Sequence, residues 1–139
     1  MGLTKYLKRL VLTLVVFLSF DSVWLGLIAP DFYRRHIGSH MLESPNLWAA
    51  GCFYLVFISG LLFFVVDPCL SESSGRSFKR AFLRGGFFGF CTYATFDLTC
   101  QALFKDWPTI VTVVDLAWGT ILCASVSALL VKIQNKLVN

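Results

Sequence analysis

The sequence predicts an all-α integral membrane protein, a single domain of residues 1–139 built as a bundle of four transmembrane helices. Composition leads to this fold class. Hydrophobic residues make up 57% of the chain, and its mean hydropathy is +0.73. Charged residues make up 14%, against about 25% in an average soluble domain. A soluble protein of this length would not cover so much apolar surface, so we expect a lipid bilayer as the main solvent.

Four stretches of the chain are long and apolar enough to cross a bilayer, because a spanning helix needs about 20 mostly apolar residues. They cover roughly residues 10–29, 47–66, 85–104 and 109–131. The prolines lie at the edges of these stretches, where a missing backbone N–H costs least: Pro30, Pro45, Pro68 and Pro108. The short connection KDWP predicts that the third and fourth helices are antiparallel neighbours.

The distribution of lysine and arginine predicts the orientation, since cytoplasmic loops carry an excess of both. Three basic residues, Arg34, Arg35 and Lys105, flank the helix ends on one side. Nine lie on the side of the termini: Lys5, Lys8, Arg9, Arg76, Lys79, Arg80, Arg84, Lys132 and Lys136. We therefore predict that both termini are cytoplasmic, in a bacterial inner membrane or with the equivalent orientation in an organelle membrane.

Three aspartates lie inside the apolar stretches, where water should be scarce. At about 1.5 Å of rise per residue, Asp21 lies about 12 Å from the outer end of its helix, Asp97 about 10 Å and Asp115 about 9 Å. Three separate helices thus carry a carboxyl group at a similar depth. An aspartate at a helix centre costs roughly 2.5–3.5 kcal/mol on insertion scales, so we expect all three to face the bundle interior.

Helical spacing places other polar or aromatic side chains on the same faces as these aspartates. With them they form the candidate binding residues: Asp21, Trp24, Tyr93, Asp97, Gln101, Thr112, Asp115 and Trp118. The second helix has no charge in its interior, and we expect it to serve as a packing wall. Because no basic residue lies within the membrane interior to pair with the acids, we expect at least one of them to be protonated at neutral pH.

Two interpretations of the carboxyl groups remain open. They can form a polar network that only holds the helices in register, with donors such as Tyr93, Gln101, Thr112 or a tryptophan N–H. They can also form a site that binds a ligand or handles protons, which is the default expectation for acids within a membrane. Three carboxyl groups exceed what register requires, and this favours a site.

Other signals in the sequence are weaker. Gly85 and Gly89 predict a close helix approach, either inside the bundle or in a homodimer. His36 and His40 are too few for a metal site, so we predict none. We also predict no cofactor, because no lysine for a retinal Schiff base and no histidine pair for haem lies within the membrane. A partner nucleic acid is not expected, since no basic stripe with interleaved aromatics occurs.

Several short motifs, spread over nearly the whole chain, are together specific. They are D-x-x-W-L-G at residues 21–26, P-x-F-Y at 30–33, Y-A-T-F-D-L-T at 93–99, W-P at 107–108 and D-x-A-W-G at 115–119. In this combination the chain resembles the DUF2177 family of small predicted membrane proteins. The family often has asparagine where this chain has Cys100. The resemblance implies a four-helix membrane protein and brings no established activity.

Three functions are compatible with these observations. The first, which we favour, is a binding or transport component that uses the carboxyl groups for a small cation or a proton-linked substrate. The second is a membrane-embedded enzyme acting on a lipid or isoprenoid, with an aspartate as general acid. The third is a non-catalytic assembly or scaffold subunit. Four helices make a thin transporter, so the first function favours a homodimer.

Overall fold

The computed structural model of the chain describes residues 2–71 and 77–138, which contain helices and no strand. Five helices follow in chain order: α1 Leu3–Leu27, α2 Ala29–Ile37, α3 Leu47–Ser71, α4 Ser77–Leu103 and α5 Thr109–Val138. A single 3₁₀ turn, Gly38–His40, extends the short helix α2. The all-α fold class is therefore confirmed.

Three of these helices are long and apolar enough to cross a membrane. They are α1 over Thr4–Leu27, α3 over Leu47–Ser71 and α5 over Thr109–Asn135. Helix α4 has 27 residues, a sufficient length, but Lys79, Arg80 and Arg84 lower the hydropathy of its first half. The fourth span and the cytoplasmic termini thus stay predictions, and Arg76, one of the residues behind the orientation, lies outside the described part of the chain.

The helix boundaries agree with the sequence where a cap or a proline marks them. Helix α3 begins at Leu47 because the Asn46 side chain accepts hydrogen bonds from the backbone N–H groups of Trp48 and Ala49. Helix α5 begins directly after Pro108. At the ends that carry the termini or the polar 72–76 segment, the helices extend beyond the predicted stretches, because helical backbone continues into the polar flanks, as in α1, which begins at Leu3 instead of residue 10. At the opposite end, α1 and α4 end at Leu27 and Leu103, slightly before the predicted limits of 29 and 104.

Pro68 lies inside α3 and not at its edge, which corrects the expectation from the sequence. The helix continues to Ser71 through a π-helical turn over Leu62–Val66, in which the N–H of Asp67 donates to the carbonyl of Leu62. Proline lacks the N–H of a regular turn, and its ring crowds the carbonyl four residues earlier. A widened turn before Pro68 relieves that crowding.

Helices α4 and α5 form the most extensive helix pair among the described residues, as their short connection predicts. Glycine makes the close approach possible. A Cβ atom on Gly85 would lie 2.5 Å from Oγ of Ser127, and one on Gly89 would lie 2.7 Å from the carbonyl carbon of Gly119. Gly85 and Gly89 therefore pack inside the bundle, the first of the two roles that the sequence allows.

The remaining helices complete the core around this pair. Phe17 of α1, Ile58, Leu61 and Leu62 of α3, and Leu122 of α5 are fully buried together. At the end of the bundle that carries the termini, an ion pair of 2.7 Å joins Arg9 of α1 to Asp67 of α3. Many large apolar side chains stay exposed on the outer faces, as expected for helices whose surroundings are lipid.

Candidate carboxylate site

Asp21 ties three helices together. Its carboxyl accepts a hydrogen bond of 2.8 Å from the Tyr54 hydroxyl of α3 and a longer one of 3.4 Å from the Trp118 Nε1 of α5. The side chain is 6% exposed. Both carboxyl oxygens thus have a donor, and this aspartate fits the polar network that holds helices in register. Helix α3, expected as a packing wall, packs in the core through Ile58, Leu61 and Leu62 and also supplies one of these donors through Tyr54.

Asp115 lies near the beginning of α5 and is 7% exposed. Its Oδ1 accepts a short hydrogen bond from the hydroxyl of Tyr33, which lies on the short helix α2. Burial, together with the hydrogen bond to Asp115, raises the pKa of Tyr33 above its usual range. The phenol therefore keeps its proton at neutral pH and acts as the donor. Tyr33 is not among the candidate binding residues that the sequence predicts.

Asp97 differs from the other two aspartates, because it is 0% exposed and neither of its carboxyl oxygens accepts a hydrogen bond from the described residues. Its carboxyl lies within hydrogen-bonding reach of the Asp115 carboxyl on the adjoining helix, and a proton on Asp97 allows it to donate to Asp115. Burial of an ionised group without a partner is costly. This carboxyl group consequently requires a proton or a positively charged partner.

Two stacked tryptophans connect the surroundings of Asp21 with those of Asp115, and we call the three aspartates and these aromatic neighbours the carboxyl cluster. The rings of Trp24 and Trp118 lie 4.8 Å apart at an interplanar angle of 13°. Trp24 also packs edge-on against the ring of Tyr33, with centroids 6.5 Å apart. Because Trp118 follows Asp115 by one helical turn, the stack sets the relative position of α1, α2 and α5 at the level of the acids.

A cavity of about 520 Å³ adjoins Asp97 and Asp115. Its volume lies within the roughly 300–1,000 Å³ range of small-molecule sites. Tyr33, Ile37 and Met41 line it from the connection after α1, and Tyr93 lines it from α4. That connection and the α4–α5 connection lie at the end of the bundle opposite the termini. The cavity is mostly apolar, with the two carboxyl groups as its charged feature.

Several of the candidate binding residues lie together as predicted. Trp24, Trp118 and Asp21 form one part of the cluster, while Asp97, Asp115 and Tyr93 line the cavity. The ring of Tyr93 lies against Gly119, where a Cβ atom would be 2.7 Å from its Cε2.

Three expected donors do not serve Asp97 or its neighbours. Neither Tyr93 nor Gln101 bonds to Asp97. The side-chain amide of Gln101 donates to the Thr109 hydroxyl across the α4–α5 connection, 2.9 Å away. The Thr112 hydroxyl accepts from the Trp107 Nε1 at 3.2 Å. Helical spacing identified the right faces, but these polar groups find nearer partners at the end of the bundle.

Tyr33 and Tyr54 are the functional candidates that sequence reasoning missed. Tyr33 belongs to the P-x-F-Y motif, which was a signal of its importance. Its contact with Asp115 joins residues 82 positions apart, and no periodicity predicts such a contact. Tyr54 is a rare polar side chain on an otherwise apolar helix, and this rarity was the available signal.

Among the described residues, no group of three or more histidine, cysteine or acidic side chains has the geometry to hold a metal ion. His36 instead contacts the Phe32 carbonyl through its Nδ1 at 2.8 Å, within its own helix. The carboxyl cluster is therefore built from oxygen acceptors and aromatic donors.

Comparison with known proteins supports the membrane assignment. A search of the curated proteins and a search of the solved structures give no match. The model of one family, described as a predicted membrane protein, matches residues 6–131. This range includes all five helices in large part and every residue of the carboxyl cluster. The chain belongs to the DUF2177 family of predicted membrane proteins.

Proposed function

We propose that this protein is a binding or transport component that holds a small cation, or a substrate carried with a proton, between Asp97 and Asp115. The observation that carries the proposal is the pair of carboxyl groups of Asp97 and Asp115 beside the cavity, in which the buried Asp97 accepts no hydrogen bond from the described residues. An acid that serves only as a structural contact is expected to have donors, as Asp21 does.

The two cavity acids act as a pair. Like charges in a low-dielectric site oppose each other's ionisation. A proton or a cation placed between Asp97 and Asp115 offsets both charges and also the desolvation of the buried carboxyl. Tyr33 donates to Asp115 and leaves Asp97 as the group with free acceptor capacity. The occupied and empty forms of the cavity therefore differ in charge, as a cation-linked carrier requires.

The proposal includes an orientation and an assembly. With both termini cytoplasmic, the cavity end of the bundle faces away from the cytoplasm, in a bacterial inner membrane or an organelle membrane. A bundle of this size encloses little more than one site, so transport by this protein requires a second copy as a homodimer. Binding alone does not.

Carbodiimide labelling tests the proposal. Dicyclohexylcarbodiimide partitions into membranes and reacts with protonated carboxyl groups there. We expect an adduct on Asp97 or Asp115, located by peptide mass spectrometry of the reconstituted protein. Added cations, from sodium and potassium to ammonium and its alkyl derivatives, are expected to include at least one that lowers the labelling.

The internal control is Asp21, whose carboxyl already accepts two hydrogen bonds. Its labelling, if any, should not respond to added cations. Labelling of the cavity acids that no cation reduces, at any pH of an acidic to neutral series, would refute the binding role and leave the scaffold function. The binding role is also refuted if neither Asp97 nor Asp115 is labelled.

The unequal surroundings of the two acids favour a second candidate, an enzyme acting on a lipid or isoprenoid. One carboxyl, Asp115, has a phenol donor, and the other, Asp97, has none. Pairs of acids in different environments are typical of sites where one acts as general acid. Mass spectrometry of lipids incubated with the wild type and with Asp97→Asn separates the candidates, since only an enzyme changes the lipid composition.

A further inference from the structure

We propose that the ligand of the cavity is an organic cation, an ammonium group on an apolar body, and not a bare metal ion. This inference rests on the proposed function and names the chemical class of its ligand. Besides the carboxyl pair, it rests on three observations: the aromatic walls of the cavity, its volume, and the small number of oxygen ligands.

The walls beside the acids are aromatic. Rings from α2, α3, α4 and the α4–α5 connection line the cavity: Tyr33, Phe53, Phe57, Tyr93, Phe96 and Trp107. An organic cation within about 6 Å of the face of such a ring is attracted by its quadrupole, and sets of aromatic rings are the usual site for quaternary ammonium groups. A strongly hydrated metal ion gains little from these walls.

The oxygen ligands are too few for a metal ion. Calcium takes 6–8 oxygen ligands, and magnesium requires an octahedron. The cavity offers the two carboxyl groups of Asp97 and Asp115, and Tyr33 already donates to one oxygen of Asp115. The described residues contain no candidate metal group of three or more side chains. An ammonium group needs only a counter-charge and, where it carries hydrogens, one or two acceptors.

The volume agrees with a ligand larger than an ion. The cavity measures about 520 Å³, whereas one water molecule occupies about 30 Å³ of the liquid. A dehydrated inorganic cation would leave most of this space without contacts. The carboxyl pair of Asp97 and Asp115 supplies the counter-charge for the positive group, and the aromatic rings enclose the apolar body.

The experiment compares a cation with its neutral isostere. The protein, reconstituted in lipid nanodiscs, is labelled with dicyclohexylcarbodiimide in the presence of benzyltrimethylammonium or of neopentylbenzene, which replaces the nitrogen by carbon. Both are titrated, and their concentrations in the lipid phase are compared, with sodium and potassium as further arms. We expect benzyltrimethylammonium to protect Asp97 from labelling at a concentration at least tenfold lower than neopentylbenzene does.

A pair of variants on α4 tests the aromatic contribution. Phe96→Leu removes a ring that lines the cavity, while Phe90→Leu removes an exposed ring from the same helix that does not line it. One cation–π contact changes affinity by about two- to thirtyfold. We expect Phe96→Leu to raise the protective concentration of benzyltrimethylammonium within that range, and Phe90→Leu to leave it unchanged.

The outcomes distinguish the two proposals. Protection by sodium or potassium without protection by benzyltrimethylammonium overturns the organic cation and leaves the proposed function standing. Equal protection by the cation and by neopentylbenzene also overturns it, because charge then plays no part in recognition. Absence of protection in every arm overturns both proposals together.

Discussion

The close packing of α4 against α5 predicts a large difference between two alanine substitutions on the same helix. At Gly89 an added Cβ atom would meet the carbonyl oxygen of Gly119 and would lie 2.9 Å from the Cβ of Cys123. At Gly86 the nearest atom, the Cβ of Ala124, would lie 3.5 Å away, an ordinary contact. Gly89→Ala must therefore separate the helices, while Gly86→Ala fits the existing structure.

The magnitudes follow from these contacts. Overpacking in a tightly packed interior costs typically about 1–3 kcal/mol, and Gly89→Ala should lie at or above the upper end because backbone atoms cannot rotate away. Gly86→Ala gains about 0.5–1 kcal/mol of helix propensity. We expect the two variants to differ by at least about 3.5–4 kcal/mol in the free energy of unfolding, measured by sodium dodecyl sulfate titration in mixed micelles. Equal stability of the two variants would refute the packing argument.

Two further predictions concern single side-chain contacts, and a third concerns the orientation of the chain in the membrane. Tyr54→Phe removes the donor of the 2.8 Å hydrogen bond to the α1 aspartate and should lower stability by about 1.5–3 kcal/mol in the same titration, and an unchanged midpoint would count against that bond. Arg9→Gln should cost less than about 1 kcal/mol, because its ion pair with Asp67 is partly exposed; a larger loss would mean a buried pair. Cysteines introduced at residues 3 and 138, in a variant without native cysteines, should not react with an impermeant thiol reagent added outside intact cells; external labelling of either would reverse the predicted orientation.

The fold was predictable from the sequence because its main determinants are local. Apolar stretches of sufficient length, the Asn46 cap and Pro108 fix where helices lie, and each acts within a few residues. The π-helical turn before Pro68 was not predictable, since a proline at the edge of an apolar stretch more often ends a helix than lies within one. The extension of α1 to Leu3 depends on how far its basic flank stays helical, and hydropathy does not report this.

The site was predictable only in part. Matched depth and helical faces brought Asp97, Asp115 and Tyr93 to one cavity, because those features depend on helix geometry alone. The donors were not predictable. Tyr33 reaches Asp115 because α2 turns back over the bundle, and Gln101 bonds to Thr109 because the α4–α5 connection is short. Such choices depend on the tertiary arrangement of connections, which periodicity does not encode.

We propose that Asp21 stabilises the fold, whereas Asp97 serves a ligand. Asp21 accepts hydrogen bonds from two helices, whereas Asp97 accepts none from the described residues. The same substitution should therefore have different effects at the two positions. An asparagine at residue 21 keeps the size but weakens two charge-assisted hydrogen bonds. An asparagine at residue 97 removes a costly buried acid, and its amide can still donate to Asp115.

The most direct test measures the melting temperatures of Asp21→Asn and Asp97→Asn in the same detergent, without added ligand. We expect Asp21→Asn to melt below the wild type, by the few degrees that about 1–3 kcal/mol produces in a domain of this size. Asp97→Asn should melt at or above the wild type, because the substitution removes the cost of a buried acid. A melting temperature of Asp97→Asn as low as that of Asp21→Asn would contradict the claim and make Asp97 part of the structural network.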